Sequence, residues 1–204
     1  MNNFASKKKL LIFLGIAVLL MVAGFWGWIF TGKLKEVKDL PVMGDVRPFA
    51  FMERNNQLVT RDDLSGNIWI ADFVFTRCAG PCPLMTMKMR QLQKAFSNAD
   101  DVKLVSFSVD PEFDTPLVLS KYAEQYEADP QKWLFLTGDK KEIYNFAQNS
   151  LKLTVKEATE NSPIIHSTYF ILVDRQGKIR GYYNSNEPNS LSRLATDVER
   201  LRVK

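Results

Sequence analysis

The chain has 204 residues, 46% of them hydrophobic, with fourteen Phe and four Trp, enough for one well-packed domain plus an appendage. Such a core needs no disulfide staple, and a bridge between cysteines four residues apart would close little chain entropy, so the two cysteines of the chain argue for chemistry rather than stability. Once Lys7, Lys8 and Lys9 are set aside, 24 basic residues face 23 acidic ones, a balance of +1 with no long basic run, which argues against nucleic-acid binding.

Residues 1–9 form a short N-terminal tail ending in the three lysines. They precede the uninterrupted apolar run "LLIFLGIAVLLMVAGFWGWIF", residues 10–30, with Trp26 and Trp28 near its far end. At the rise of a helix this run spans roughly 30 Å, the hydrocarbon thickness of a bilayer, and aromatic residues favour the membrane interface. The run is too long for a signal-peptide core and lacks a small-x-small cleavage site, so it reads as a single uncleaved transmembrane helix. No Cys lies near it to carry a lipid. The lysine cluster predicts a cytoplasmic tail, with the globular part outside a bacterial inner membrane, on the periplasmic or extracytoplasmic side. Disulfides form and persist there.

Residues 31–45, "TGKLKEVKDLPVMGD", read as a polar linker, and the globular domain is expected over 46–204. "PFAFMERNNQLVT" predicts a β-hairpin turning at Asn55 and Asn56. "NIWIADFVFT" predicts a central parallel strand, because its apolar character is nearly continuous. A helix follows in "PLMTMKMRQLQKAF", where Met85, Met89, Leu92 and Phe96 make one apolar stripe. The stripe assigns Met85 and Met89 to the core rather than to a metal. "DVKLVSFSVD" is a second central strand. Pro116 opens the next helix, with Asp114 or Thr115 as its cap. "WLFLTG" and "KKEIYNFAQNSL" add a strand and a helix, "STYFILVD" and "KIRGYYN" a hairpin, and "NSLSRLATDVERLR" a closing helix. This order predicts an α/β, thioredoxin-like fold with an N-terminal β-hairpin.

Cys78 and Cys82 lie in "FVFTRCAGPCP", between the buried strand and its helix. Pro81 and Pro83 suit a first helical turn and predict a helix starting near Pro83, with Cys82 as its N-cap. The positive helix end, and Arg77 beside Cys78, are expected to favour both thiolates. A spacing of three intervening residues is wider than a fast-cycling Cys-x-x-Cys, and it leaves a redox dithiol and half of a metal site both open. His166, the single histidine, precedes the strand predicted antiparallel to the one that ends before Cys78. The topology therefore expects His166 at the same sheet end. Two thiolates and an imidazole suit copper, whereas structural zinc normally takes four ligands and no other Cys or His exists here. Asp110 ends the second central strand at that same end.

In these residues the sequence resembles the Sco/SenC family of copper chaperones. "FTRCAGPCP", "SVDPEFDTP" and "HSTYFILVDRQGK" occur in family order and spacing, and the likeness runs from about Pro48 to the last helix. The chain departs from the common pattern at Arg77, before the first Cys, and at Ile165, before His166, where the family often has Asp. The resemblance implies a membrane-anchored metallochaperone rather than an enzyme. It implies copper, as Cu(I) or Cu(II), on Cys78, Cys82 and His166. It implies service to the binuclear copper centre of cytochrome c oxidase subunit II, or to another cuproprotein partner. Asp110 is implied as a partner-contact or proton-handling group of the active face. The alternative is an extracytoplasmic thiol–disulfide oxidoreductase using Cys78 and Cys82 to reduce a cuproprotein's cysteines.

Overall fold

The computed structural model describes residues 15–26, 39–153 and 167–203. The expected tail at 1–9, the outer parts of the apolar run, most of the linker, and His166 lie outside the described residues. Residues 15–26 are helical (α1). Among the described residues no helix is long and apolar enough to cross a membrane. The chain divides into two compact units, Met1–Asp39 and Leu40–Lys204.

Eight strands form one sheet in the order β1-β8-β7-β4-β5-β6-β2-β3. Its centre is parallel: β4 (Ile68–Val74), β5 (Val102–Ser108) and β6 (Trp133–Thr137). Every residue of β4 is buried, Asp72 included, as its nearly continuous apolar run leads one to expect of a strand covered on both faces. The hairpin β7 (Tyr169–Val173) and β8 (Lys178–Asn184) adds antiparallel to β4, with Ala71 opposite Ile171. Gly177 supplies the left-handed residue that its turn needs, at φ 76°. The hairpin β2 (Ala50–Glu53) and β3 (Leu58–Thr60) extends the other edge through β6. Asn56, at φ 64°, makes that turn. β1 (Gly44–Asp45), within the stretch read above as linker, pairs with β8.

The alternation of the strands splits the core in two. Ile68 and Ile70 of β4, Leu104 of β5 and Trp133 and Phe135 of β6 face α2 (Cys82–Ala95), α3 (Pro116–Gln125) and α5 (Ser190–Arg202). Trp69, Ala71 and Phe73, with Val105 and Phe107, face Phe49, Phe51 and the segment formed by α4 (Lys140–Asn145) and a π-helical turn at Phe146–Ser150. The stripe of Met85, Met89, Leu92 and Phe96 is buried as expected, and Met87 stands outside it, 53% exposed. Two local expectations shift. α2 starts at Cys82 with Pro81 as its N-cap, one residue earlier than expected, because Pro81 already has helical dihedrals and its carbonyl accepts the Met85 N–H at 3.0 Å. Of the two candidate caps for α3, Thr115 takes the position, its side chain accepting from Val118 N–H.

Candidate functional site

β4 delivers the chain into the loop 75–81 at the carboxyl end of the parallel strands, and α2 carries it back over the sheet. Cys78 is partly exposed in this loop; Cys82, the first residue of α2, is fully buried, and neither is in a disulfide. The Cys78 N–H donates to Phe75 O at 3.2 Å, and the Gly80 N–H approaches the Cys78 Sγ at 3.4 Å, folding the loop around that sulfur. Beneath Cys82, Thr86 Oγ1 donates to the Cys82 carbonyl at 2.9 Å and pairs with the Tyr122 hydroxyl at 2.8 Å.

The two sulfurs differ in burial. Burial pushes the Cys82 thiol well above the ordinary thiol range; a hydrogen bond from the Phe75 backbone opposes it, and the Cys78 sulfur and Asp72 push it further up. The helix terminus was expected to favour thiolate at both cysteines. At Cys82 that expectation fails, because removing a thiolate from water outweighs a half-charge dipole. Arg77 is paired with a carboxylate. Its guanidinium donates to Asp110 Oδ2 from Nε at 2.9 Å and from Nη2 at 2.5 Å, and stacks over the Phe113 ring at 4.3 Å.

Asp110 thus lies at the rim of the dithiol loop, 6% exposed and paired with Arg77. Asp114 turns inward and is fully buried. It accepts from Thr76 Oγ1 at 2.5 Å, from Thr76 N–H at 3.2 Å and from Ser108 Oγ at 2.5 Å. Burial raises the Asp114 carboxyl above its usual range, and these three donors hold it back. Asp72 of β4 is the other inward acid. Its Oδ1 accepts from Ser106 Oγ at 2.6 Å, and that hydroxyl accepts from Trp133 Nε1 at 2.9 Å, but its Oδ2 has no hydrogen-bond partner. Burial pushes Asp72 up to about 7. The sequence reading did not single out Asp72, Thr76 or Ser108. Asp72 carried a usable signal, an acid inside a strand otherwise apolar; the other two became visible only through Asp114.

Among the described residues no three His, Cys, Asp or Glu side chains gather as a metal cluster. The described donors at the loop are two sulfurs, and the third expected ligand, His166, lies outside the described residues. The described chain resumes at Ser167. With Ala71 opposite Ile171, the start of β7 lies beside the end of β4, the sheet end that carries the dithiol. Clefts of about 310 Å³ beside Phe49 and Asn145, and about 380 Å³ beside Tyr182 and Arg193, are lined by neither cysteine.

A parallel-centred sheet closed by an antiparallel hairpin, with two thiols where α2 begins, defines a thioredoxin-like dithiol protein. Comparison with known proteins narrows the class. The SCO1/SenC family matches residues 43–202. The SCO1 protein homolog of Bacillus subtilis (strain 168) is 39% identical over 167 residues, covering 81% of this chain and 86% of that protein. Among solved structures, BsSco, described as a member of the Sco family of cytochrome c oxidase assembly proteins with a disulfide switch, superposes with a TM-score of 0.72 at 37% identity, over 80% of this chain and 98% of that one. Bradyrhizobium japonicum ScoI with copper bound gives a TM-score of 0.66 at 26% identity, over 78% and 99% of the two chains. This chain belongs to the SCO1/SenC family.

Proposed function

We propose that this protein is a copper-binding metallochaperone that takes part in the assembly of cytochrome c oxidase, with copper as its cargo. One observation carries the reading: two thiols with no disulfide between them lie at the start of α2 and in the loop before it, at the sheet end where β7 begins, three residues after His166. Cys78, Cys82 and His166 are the proposed ligands. Two soft sulfurs and one imidazole suit Cu(I) by donor type, and a partly exposed Cys78 gives an incoming ligand access to the cargo. A copper-bound Sco structure and a Sco protein ascribed to oxidase assembly are similar to this chain over most of its length, which supports both halves of the proposal. Asp110, through Arg77 at the rim, is the proposed contact for the recipient, subunit II or another cuproprotein. Residues 10–30 are the proposed membrane anchor of a single-pass bacterial inner-membrane protein with its domain outside.

The test is Cu(I) titration of the reduced full chain in competition with a chromophoric chelator. One copper per chain is expected, with affinity falling at least about tenfold in Cys78→Ser, Cys82→Ser and His166→Ala, as loss of a ligand requires. Unchanged affinity in His166→Ala would remove the imidazole from the site.

A second reading has its own support in the unequal thiols. Cys78, accessible, attacks a partner's disulfide as thiolate and releases one partner thiolate; Cys82 then attacks Cys78 of the mixed disulfide and releases the other. The chain ends as the Cys78–Cys82 disulfide and the partner as two thiols. Such reduction needs both cysteines and is insensitive to His166→Ala. The two activities exclude each other at any instant, since the oxidised pair offers no thiolate to copper. Copper titration after oxidation therefore finds no tight site.

A further inference from the structure

The last β4–β5 rung is the bond from Val109 N–H to Val74 O, at 2.9 Å. Beyond it the two chains diverge, one toward Cys78 and the other into the turn 110–114. The turn is closed on itself, Phe113 N–H and Asp114 N–H both donating to Asp110 O, at 3.0 and 2.8 Å. From this closed turn two carboxylates reach back across the gap and grip consecutive residues of the cysteine loop. Asp114 holds Thr76 by both its N–H and its hydroxyl, and Asp110 holds Arg77 by two nitrogens. Ser108 ties the two acids together, since its hydroxyl donates to Asp114 Oδ2 at 2.5 Å and accepts the Asp110 N–H at 3.1 Å.

A fully buried carboxylate is costly unless its oxygens are satisfied, so its place in the fold calls for a reason. Capping α3 is not that reason, because Thr115 does it. What Asp114 does fix is the direction in which the chain leaves β4, two residues before Cys78.

We infer that Asp114 is a positioning residue for the dithiol, clamping Thr76 so that the Cys78 sulfur is aligned with Cys82 for ring closure and for sharing a ligand. The inference rests on Cys78 and Cys82 being the working centre. It assigns Asp114 no contact with the cargo or the partner.

The measurement is the equilibrium between the full chain and glutathione, in which the dithiol and one glutathione disulfide give the Cys78–Cys82 disulfide and two glutathione thiols. The constant reports how well the two sulfurs are pre-aligned in the folded chain. Asp114→Asn keeps the shape but leaves one of three donors without an acceptor, and Thr76→Val removes the gripped hydroxyl. Each is expected to lower the constant about tenfold, the scale of one charge-assisted hydrogen bond. Thr76→Ser, which keeps the hydroxyl, restores it. Tyr183→Phe removes the 2.7 Å bond to Asp197, which involves neither the cysteine loop nor its two acids, and serves as the destabilised control, with the constant unchanged. Should Asp114→Asn not fold, the Thr76 pair alone decides. Constants within twofold of the parent in the folded Asp114→Asn and Thr76→Val chains would overturn the positioning role and leave the dithiol centre standing. A parent chain that forms no such disulfide would sink the dithiol centre itself.

Discussion

Replacing Asp72 by Asn changes how stability depends on pH, and the size of the change follows from burial. Asp72 is fully buried on the α2 side of the sheet, one oxygen bonded to Ser106 and the other without a partner. Burial moves its carboxyl from 3.8 to about 7. A carboxyl raised on folding holds its proton more tightly folded than unfolded. Its contribution is therefore fully present below about pH 4, is lost steadily as pH rises, and is gone above about pH 7. The slope is about 1.4 kcal/mol per pH unit, so between pH 5 and the folded value near 7 the parent loses on the order of 3 kcal/mol through this group. Asparagine keeps an oxygen for the Ser106 hydroxyl and does not ionise, so this term vanishes. The assay is urea unfolding of the reduced parent and of Asp72→Asn at pH 5, 6, 7 and 8, comparing the two at each pH. Asp114 is also raised by burial, but it is common to both chains and cancels in the difference. Asp72→Asn is expected to gain on the parent by about 3 kcal/mol from pH 5 to pH 8. A difference flat to within about 0.5 kcal/mol would refute the reasoning, because it would mean that Asp72 ionises in the fold as freely as in water.

The unequal thiols predict unequal alkylation. With iodoacetamide near neutral pH, peptide mapping of the reduced folded chain finds Cys78 modified at least about tenfold faster than Cys82, since the reactive species is the accessible thiolate. Equal rates would deny the burial of Cys82. Thr115→Ala removes the acceptor of the Val118 N–H at the start of α3 and is expected to cost about 1 kcal/mol in urea unfolding, with the Asp114 bonds left intact.

Much of the fold was legible in one dimension because its signals are periodic and local. The nearly continuous apolar run of 68–74 reads as a strand covered on both faces, and the spacing of Met85, Met89 and Leu92 reads as one face of a helix. Pro116 and Thr115 start α3 by chemistry confined to three residues. The position of the dithiol, between a central strand and its helix, follows from the same reasoning. The edges were harder. β1 pairs just two residues of a polar stretch with β8, and no pattern of two residues distinguishes a strand from a linker.

By itself, the sequence determined the order of strands and helices, the core face of each, and the placing of both cysteines at one sheet end. Only the tertiary structure decided what surrounds them. Cys82 sits at a helix terminus that would lower its thiol, yet the sheet and the neighbouring helices bury it and reverse the sign. Asp114 looks like a cap beside Pro116, but Thr76, 38 residues earlier, turns it inward. The reason is physical: propensity and periodicity act between neighbours along the chain, whereas desolvation and the satisfaction of a buried charge depend on groups that meet only after folding.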